Sequence, residues 1–146
     1  MERITVAVDG SPGSEHALEL AVGLARATHA KLSIVAVVPF HPSMFPGPYP
    51  GVLPPAVSDA EVEGYRSMLE RLRSKALAGE IDEVKTELRQ GIVIEEILDQ
   101  VWGERPDLLV VGSRGLSATK RLLLGSISEA LVHHAPCPVL VDRPAD

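Results

Sequence analysis

A doubly wound α/β domain, with a five-stranded parallel sheet in the order 3-2-1-4-5 and helices on both faces, is the fold class the sequence predicts. Three observations predict it. Strand-like runs of β-branched apolar residues alternate with segments of helical periodicity in the order βαβαβαβαβ. The third strand-like segment alternates apolar with charged residues, which suits a sheet edge, whereas the first, second, fourth and fifth read as buried strands. Glycines follow the first and fourth strands, where this order reverses direction and where such sheets bind ligands.

The first strand is ITVAV, residues 4–8. Ser11 before Pro12 opens the first helix, since proline suits the first turn, and Ala17, Leu18, Ala21, Leu24 and Ala25 form its apolar stripe. KLSIVAVV, residues 31–38, is the second strand. The stretch from Pro39 to Asp59 is too proline-rich for a helix or central strand and reads as a lid or connector. Ser58 with Glu61 has capping-box form and starts a helix whose stripe is Val62, Tyr65, Leu69 and Leu72. Residues 82–90 set Val84, Thr86 and Leu88 against Lys85, Glu87 and Arg89, giving the edge strand. Ile94, Ile97, Leu98 and Val101 form the third stripe, which Trp102 extends into the packing. DLLVV, residues 107–111, is the fourth strand. Ser126 with Glu129 again has capping-box form and precedes the stripe of Ile127, Ala130 and Leu131. His133 and His134 suit the negative end of that helix. Cys137 reads as a small residue entering the fifth strand, PVLV, from Pro138 to Val141.

Composition narrows the function. The 146 residues suit a single domain spanning the chain, 1–146. A net charge of −6, with Lys and Arg scattered, disfavours nucleic acid. No run approaches the roughly 20 apolar residues that span a bilayer, and the start lacks the pattern of a signal peptide, so a cytoplasmic protein is expected. One cysteine forms no internal disulfide and has no zinc-ligand spacing around it.

The segment VVGSRGLSATKRLLLGSISEA, from Val110 to Ala130, carries the chemistry. Gly112 and Gly115 allow positive φ and a close backbone approach to a ligand, which suits phosphate oxygens. Gly125 and Ser126 stand where a helix begins, with N–H groups and the positive dipole end facing an anion. Ser126 and Ser128 add hydroxyls, and Lys120 or Arg121 would add charge. On these residues alone a loop with a helix cap explains the glycines as well as a phosphate site does.

GSRGLSATKRLLLGS resembles the G-x2-G-x9-G-[S/T] signature of the ATP-binding branch of the universal stress protein family. The resemblance extends from ITVAVDGSPGSEHAL through GIVIEEIL to HHAPCPVLVD, with Val93 where the family often has proline. It implies a Rossmann-like homodimer that holds ATP in the switch-point crevice; Mg2+ is expected with the ATP, since the ion needs few protein ligands and Asp9 or a phosphate oxygen could hold it. By position, Asp9 would meet the ribose and phosphates, Ala7 and Val8 the adenine side, and the Val37 backbone the adenine edge. Gly112, Ser113 and Arg114 would border the ribose and phosphates, and Gly115, Gly125, Ser126, Ile127 and Ser128 would contact phosphate.

The expected function is nucleotide-dependent regulation in a stress response, with dimerisation through the fifth strand. A slow ATPase or phosphotransferase is the first alternative, opposed by the lack of a G-x4-G-K-[S/T] loop and of a paired base and nucleophile. A nucleotide-independent dimeric scaffold is the second. A flavin carrier would want more aromatics near the site.

Overall fold

The computed structural model describes residues 1–40, 57–113 and 124–143. Its elements are β1 (Arg3–Val8), α1 (Pro12–Thr28), β2 (Lys31–Pro39), α2 (Asp59–Leu77), β3 (Val84–Gly91), α3 (Val93–Glu104), β4 (Leu108–Gly112), α4 (Ser126–His134) and β5 (Val139–Asp142). They form one sheet in the order β3-β2-β1-β4-β5, with every neighbouring pair parallel. The predicted strand order and both edges therefore hold.

Alternation along the strands divides the core into two layers. Ile4, Val6, Val8, Leu32, Ile34, Leu108 and Val110 pack against Leu18, Ala21, Leu69 and Leu72 of α1 and α2. On the other face Val37, Leu109 and Val111 pack against Ile97, Val101 and Leu131 of α3 and α4. Burying a side chain such as Leu72 or Ile34 contributes about 1.5 to 3 kcal/mol, so these paired faces hold the sheet between its helices.

Pairing rather than composition sets the strand ends. β2 runs on to Pro39 because Pro39 registers with Gly91, and β3 begins at Val84 rather than residue 82. β4 extends to Gly112 opposite Asp142, which shifts β5 one residue beyond PVLV and brings a buried Asp142 into the sheet. Ser11 and Ser58 cap α1 and α2 as expected, accepting the N–H groups of Ser14 and Glu61. At α4 the expectation fails: Gly125 is the N-cap, no side chain caps the helix, and Ser126 is its first residue.

Two apolar residues also depart from expectation. Trp102 is 51% exposed, with the Arg105 guanidinium 5.4 Å from its ring centroid, because the buried stripe of α3 runs through Ile97 and Val101 and the helix ends at Glu104. Ile127 is exposed in the first turn of α4, where the helix has not yet reached the core that takes Leu131.

Candidate functional site

The crevice begins where β1 and β4 separate. The N–H groups of Leu109 and Ser113 donate to Pro138 and Asp142 beside them (3.0 and 2.8 Å). Alternation therefore turns the backbone groups of the even-numbered β4 residues toward β1. Pairing of the two strands runs from Ile4↔Leu108 to Ala7↔Val111, and a further rung would join the Asp9 N–H to the Gly112 carbonyl. Instead the Asp9 N–H donates to Ser14 Oγ (3.2 Å), and the Gly112 carbonyl accepts from Ser128 Oγ (2.9 Å). Two serine hydroxyls thus satisfy the strands at their parting, so the gap leaves neither group orphaned.

On the β1 side the turn closes on itself. Asp9 Oδ1 accepts the Ser11 N–H (2.9 Å), Ser11 Oγ accepts the Ser14 N–H (3.2 Å), and Ser14 Oγ donates to the Ser11 carbonyl (3.0 Å). Asp9 is therefore a turn residue as well as a candidate ligand group, an Asx-type turn holding its carboxylate at the strand end. Gly10 adopts φ +82°, and a Cβ there would lie 2.8 Å from Met68 Sδ. Both the turn and the closeness of α2 require glycine at that position.

On the β4 side, the Ser113 N–H donates to the Asp142 carbonyl and the Ser113 carbonyl accepts the Gly125 N–H (2.8 and 2.9 Å). This ties the carboxyl ends of β4 and β5 to the start of α4. The first intrahelical bond of α4 runs from the Glu129 N–H to the Gly125 carbonyl. The N–H groups of Ser126, Ile127 and Ser128 thus lack acceptors within the helix, and among the described residues no capping side chain takes them. A helix end in this state favours an anion.

Gly112 behaves differently from the sequence expectation, since it is not among the positive-φ residues, whereas Gly125 stands at the start of α4 as expected. What Gly112 supplies is space: a Cβ would sit 2.9 Å from the Gly13 carbonyl oxygen and 3.2 Å from the Ser14 N. The first turn of α1 packs directly on the end of β4, and only hydrogen fits between them.

Ala7 and Val8 do not present side chains to one surface. Ala7 faces the α3 and α4 layer, while Val8 is buried in the opposite one, so Val8 has only its backbone to offer. Val37 is buried as well, yet its carbonyl is well placed. Lys31 donates to Glu2 and Phe40 to Gly91, so odd-numbered β2 residues aim their backbone groups at β1. Since β1 pairing stops at Val8↔Ala36, the Val37 carbonyl faces the space beyond the strand end. Ser126 and Ile127 are exposed, and Ser128 is buried with its hydroxyl proton given to Gly112. Arg114 and Gly115, with Lys120 and Arg121, lie outside the described residues, as do residues 41–56 of the proline-rich segment.

Sequence reasoning missed Tyr65, treating it as part of an apolar stripe. It lies three residues before Met68 on α2, the spacing of one helix face. Its phenol is pushed above the usual value by burial and then by the charges of Asp9 and Glu61, which places it within electrostatic reach of Asp9. The usable signal was position: in a parallel α/β sheet each helix begins near the carboxyl ends of the strands, so a polar tip in its first two turns overlooks the crevice. Ser14 and the pair formed by His16 and Asp142 were missed too, as was the bond from the Ser128 hydroxyl to the Gly112 carbonyl.

Elsewhere, a cavity of about 50 Å3 lies at the amino ends of β1 and β2, between Arg3, Thr5, Lys31 and Glu83. A liquid water occupies about 30 Å3, so this space suits water rather than a nucleotide. Among the described residues no group of three or more His, Cys, Asp and Glu could hold a metal, and no helix is long and apolar enough to cross a membrane.

Comparison with known proteins converges on one family. The profile of the universal stress protein family matches residues 1–143. A putative universal stress protein of Staphylococcus aureus is 33% identical over 153 aligned residues, covering 99% of this chain and 88% of the relative. The structure of universal stress protein UspA from Lactobacillus plantarum superposes with a TM-score of 0.84 at 29% identity, covering 97% of each chain. A universal stress protein solved in complex with cAMP gives a TM-score of 0.73 at 24% identity, covering 99% of this chain and 98% of the other.

Proposed function

The chain belongs to the universal stress protein family, and on that premise we propose that it binds ATP in the crevice between the ends of β1 and β4 and acts as a nucleotide-dependent regulator rather than a fast enzyme. The observation that carries this reading is the start of α4. Its first three N–H groups have no helical acceptor and, among the described residues, no side-chain cap, and Ser113 anchors it beside the strand parting. The signature G-x2-G-x9-G-S surrounds that point. That a structural neighbour was solved with cAMP supports an adenine nucleotide as the ligand class.

Residues divide by role. The Val37 carbonyl is the acceptor for an adenine amino group, with the Ala7 and Val8 backbone beside it. Asp9 and Gly112, Ser113 and Arg114 border the ribose and phosphates, with Tyr65 beside Asp9. Gly115, Gly125, Ser126, Ile127 and Ser128 receive phosphate, chiefly through N–H groups. Mg2+ binds with few protein ligands and carries phosphate oxygens and water in its shell, so Asp9 suffices as the protein's share. The ion would supply charge neutralisation between phosphates.

Calorimetry and thermal unfolding with ATP and AMP test this. At about 100 times its dissociation constant, ATP is expected to stabilise the fold by about 2.7 kcal/mol, and AMP at the same concentration by less, because the α4 end would lack its phosphates. Equal effects of AMP and ATP would move the phosphate site away from α4. Absence of binding by either would favour the scaffold alternative, and release of phosphate in step with turnover would favour the slow ATPase.

The protein is also proposed to form a two-fold homodimer through β5. This strand ends the sheet, and Val139, Leu140 and Val141 are each half-buried. The Leu109 N–H bonds to the Pro138 carbonyl, so even-numbered β5 residues aim at β4 and the backbone groups of Val139 and Val141 face outward. An open edge of this kind recruits another strand. Val139→Pro removes an outward N–H at the first residue of the strand, where proline is tolerated. Sedimentation should show a dimer for the natural chain at micromolar concentration and a larger monomer fraction for the variant. A monomer in both cases would dismiss this arrangement.

A further inference from the structure

His16 lies on α1 and Asp142 at the end of β5, with Nδ1 and Oδ2 2.5 Å apart. The histidine side chain is 50% exposed and the aspartate 9%. The carbonyl of Asp142 accepts the Ser113 N–H, and the carbonyl of Ser113 accepts the Gly125 N–H. One unbroken path therefore runs from an exposed imidazole, through a buried carboxylate and its backbone, to both ends of the glycine-rich segment between β4 and α4.

We propose that His16 is a positioning residue for that segment: paired with Asp142 it holds the base at Ser113 and Gly125 in place, and the hold weakens when the imidazolium loses its proton. The link to nucleotide rests on the reading given above, whereas the hold on the base does not.

The groups facing His16 support this direction. The hydrogen bond to Asp142 and then the charge of Asp142 raise His16 above its usual value of 6.5; burial opposes them with a smaller effect, and the charge of Glu19 adds the least. From α2, Arg71 and Lys75 are engaged with Glu15 and Glu19. β4 contributes no titratable residue, β1 and β2 place Arg3 and Lys31 at the opposite end of the sheet, Asp9 is held in its own turn, and Arg143 follows Asp142 in the chain. Because the folded-state value lies above the unfolded one, the contribution is complete below the unfolded value and is lost as pH rises through the folded value. Neutral imidazole can keep a proton on Nδ1 and still donate it, so the contact weakens rather than disappears. The half-exposed pair is screened by solvent, which keeps the effect modest.

The test uses the whole chain and two exposed substitutions that α1 tolerates, glutamine and arginine being helix formers at least as good as histidine. Amide exchange at Ser113 and Gly125 is measured without nucleotide from about pH 5.5 to 8.5 and normalised to intrinsic rates. Protection in the natural chain should fall by about threefold across the range, the scale of a screened ion pair. His16→Gln should remain at the low level throughout and His16→Arg at the high level. Asp142→Asn, which keeps the backbone acceptor for Ser113, should match His16→Gln. Superimposed profiles for the natural chain and His16→Gln would overturn the proposal.

For nucleotide, the readout is the ratio of ATP affinities between the natural chain and His16→Gln, since a terminal phosphate titrates in the same range. That ratio should change by about threefold, and a constant ratio would overturn the link to the ligand. If ATP binds at no pH, the nucleotide reading fails while amide exchange still decides the hold on the base.

Discussion

Gly112→Ala is expected to destabilise the fold by about 1 to 3 kcal/mol, the usual cost of forcing a side-chain atom into close-packed surroundings. The added carbon would meet the carbonyl of Gly13 at 2.9 to 3.0 Å and the N of Ser14 at 3.2 Å. All of these are backbone atoms in the first turn of α1, so no rotamer change relieves the contact. To make room, that turn must lift from β4, and the Ser14 hydroxyl that satisfies the Asp9 N–H lifts with it. A chain of this length loses about 2 to 4 °C of Tm per kcal/mol, which thermal unfolding resolves readily. The substitution also separates two explanations of the glycine. If Gly112→Ala melts earlier but keeps the full increment from ATP, its absent side chain serves only the packing of α1. Loss of the increment together with stability means that the same turn also sets the nucleotide crevice. An unchanged Tm would contradict the packing argument.

Removing the Asp9 carboxylate should weaken ATP by about 1.5 to 3 kcal/mol, the range for hydrogen bonds to charged groups. Because Asp9 Oδ1 also accepts the Ser11 N–H, Asp9→Ala disturbs the turn as well as the ligand. Asp9→Asn separates the two effects. Its amide oxygen can still close the turn, whereas the negative charge that would meet a ribose hydroxyl or Mg2+ is gone. Calorimetry should therefore show both variants weak for ATP, with only the alanine variant losing appreciable stability. Full affinity in Asp9→Asn, with weak binding in Asp9→Ala, would assign Asp9 to turn geometry alone. A related expectation concerns Tyr65, whose phenol feels the Asp9 charge. In Asp9→Asn that charge no longer disfavours the phenolate, so the tyrosine titration should move down from its raised value.

The order of elements and the strand order were legible in the sequence because they follow from local periodicity. Ile4, Val6, Val8 and the run from Leu32 to Val38 could satisfy neither helix nor loop, and the polar face of β3 suited only an edge. Helix caps were legible where a side chain answers an N–H three residues on, as Ser11 and Ser58 do. The reversal of strand order set where the candidate crevice lies, between the ends of β1 and β4, and glycine at its border was visible. What the sequence by itself did not determine was why each residue is there. Gly112 makes room for Gly13, Ser128 answers the carbonyl of Gly112, and Asp142 joins His16 to Ser113. Ser126 looked like a cap by spacing, but the bond from Gly125 to Ser113 starts the helix one residue earlier. Trp102 looked like core by spacing, yet α3 ends beside it and leaves its ring over Arg105. Periodicity is a property of neighbours along the chain, whereas a hydrogen bond or a forbidden Cβ depends on atoms that only the folded sheet brings within 3 to 4 Å.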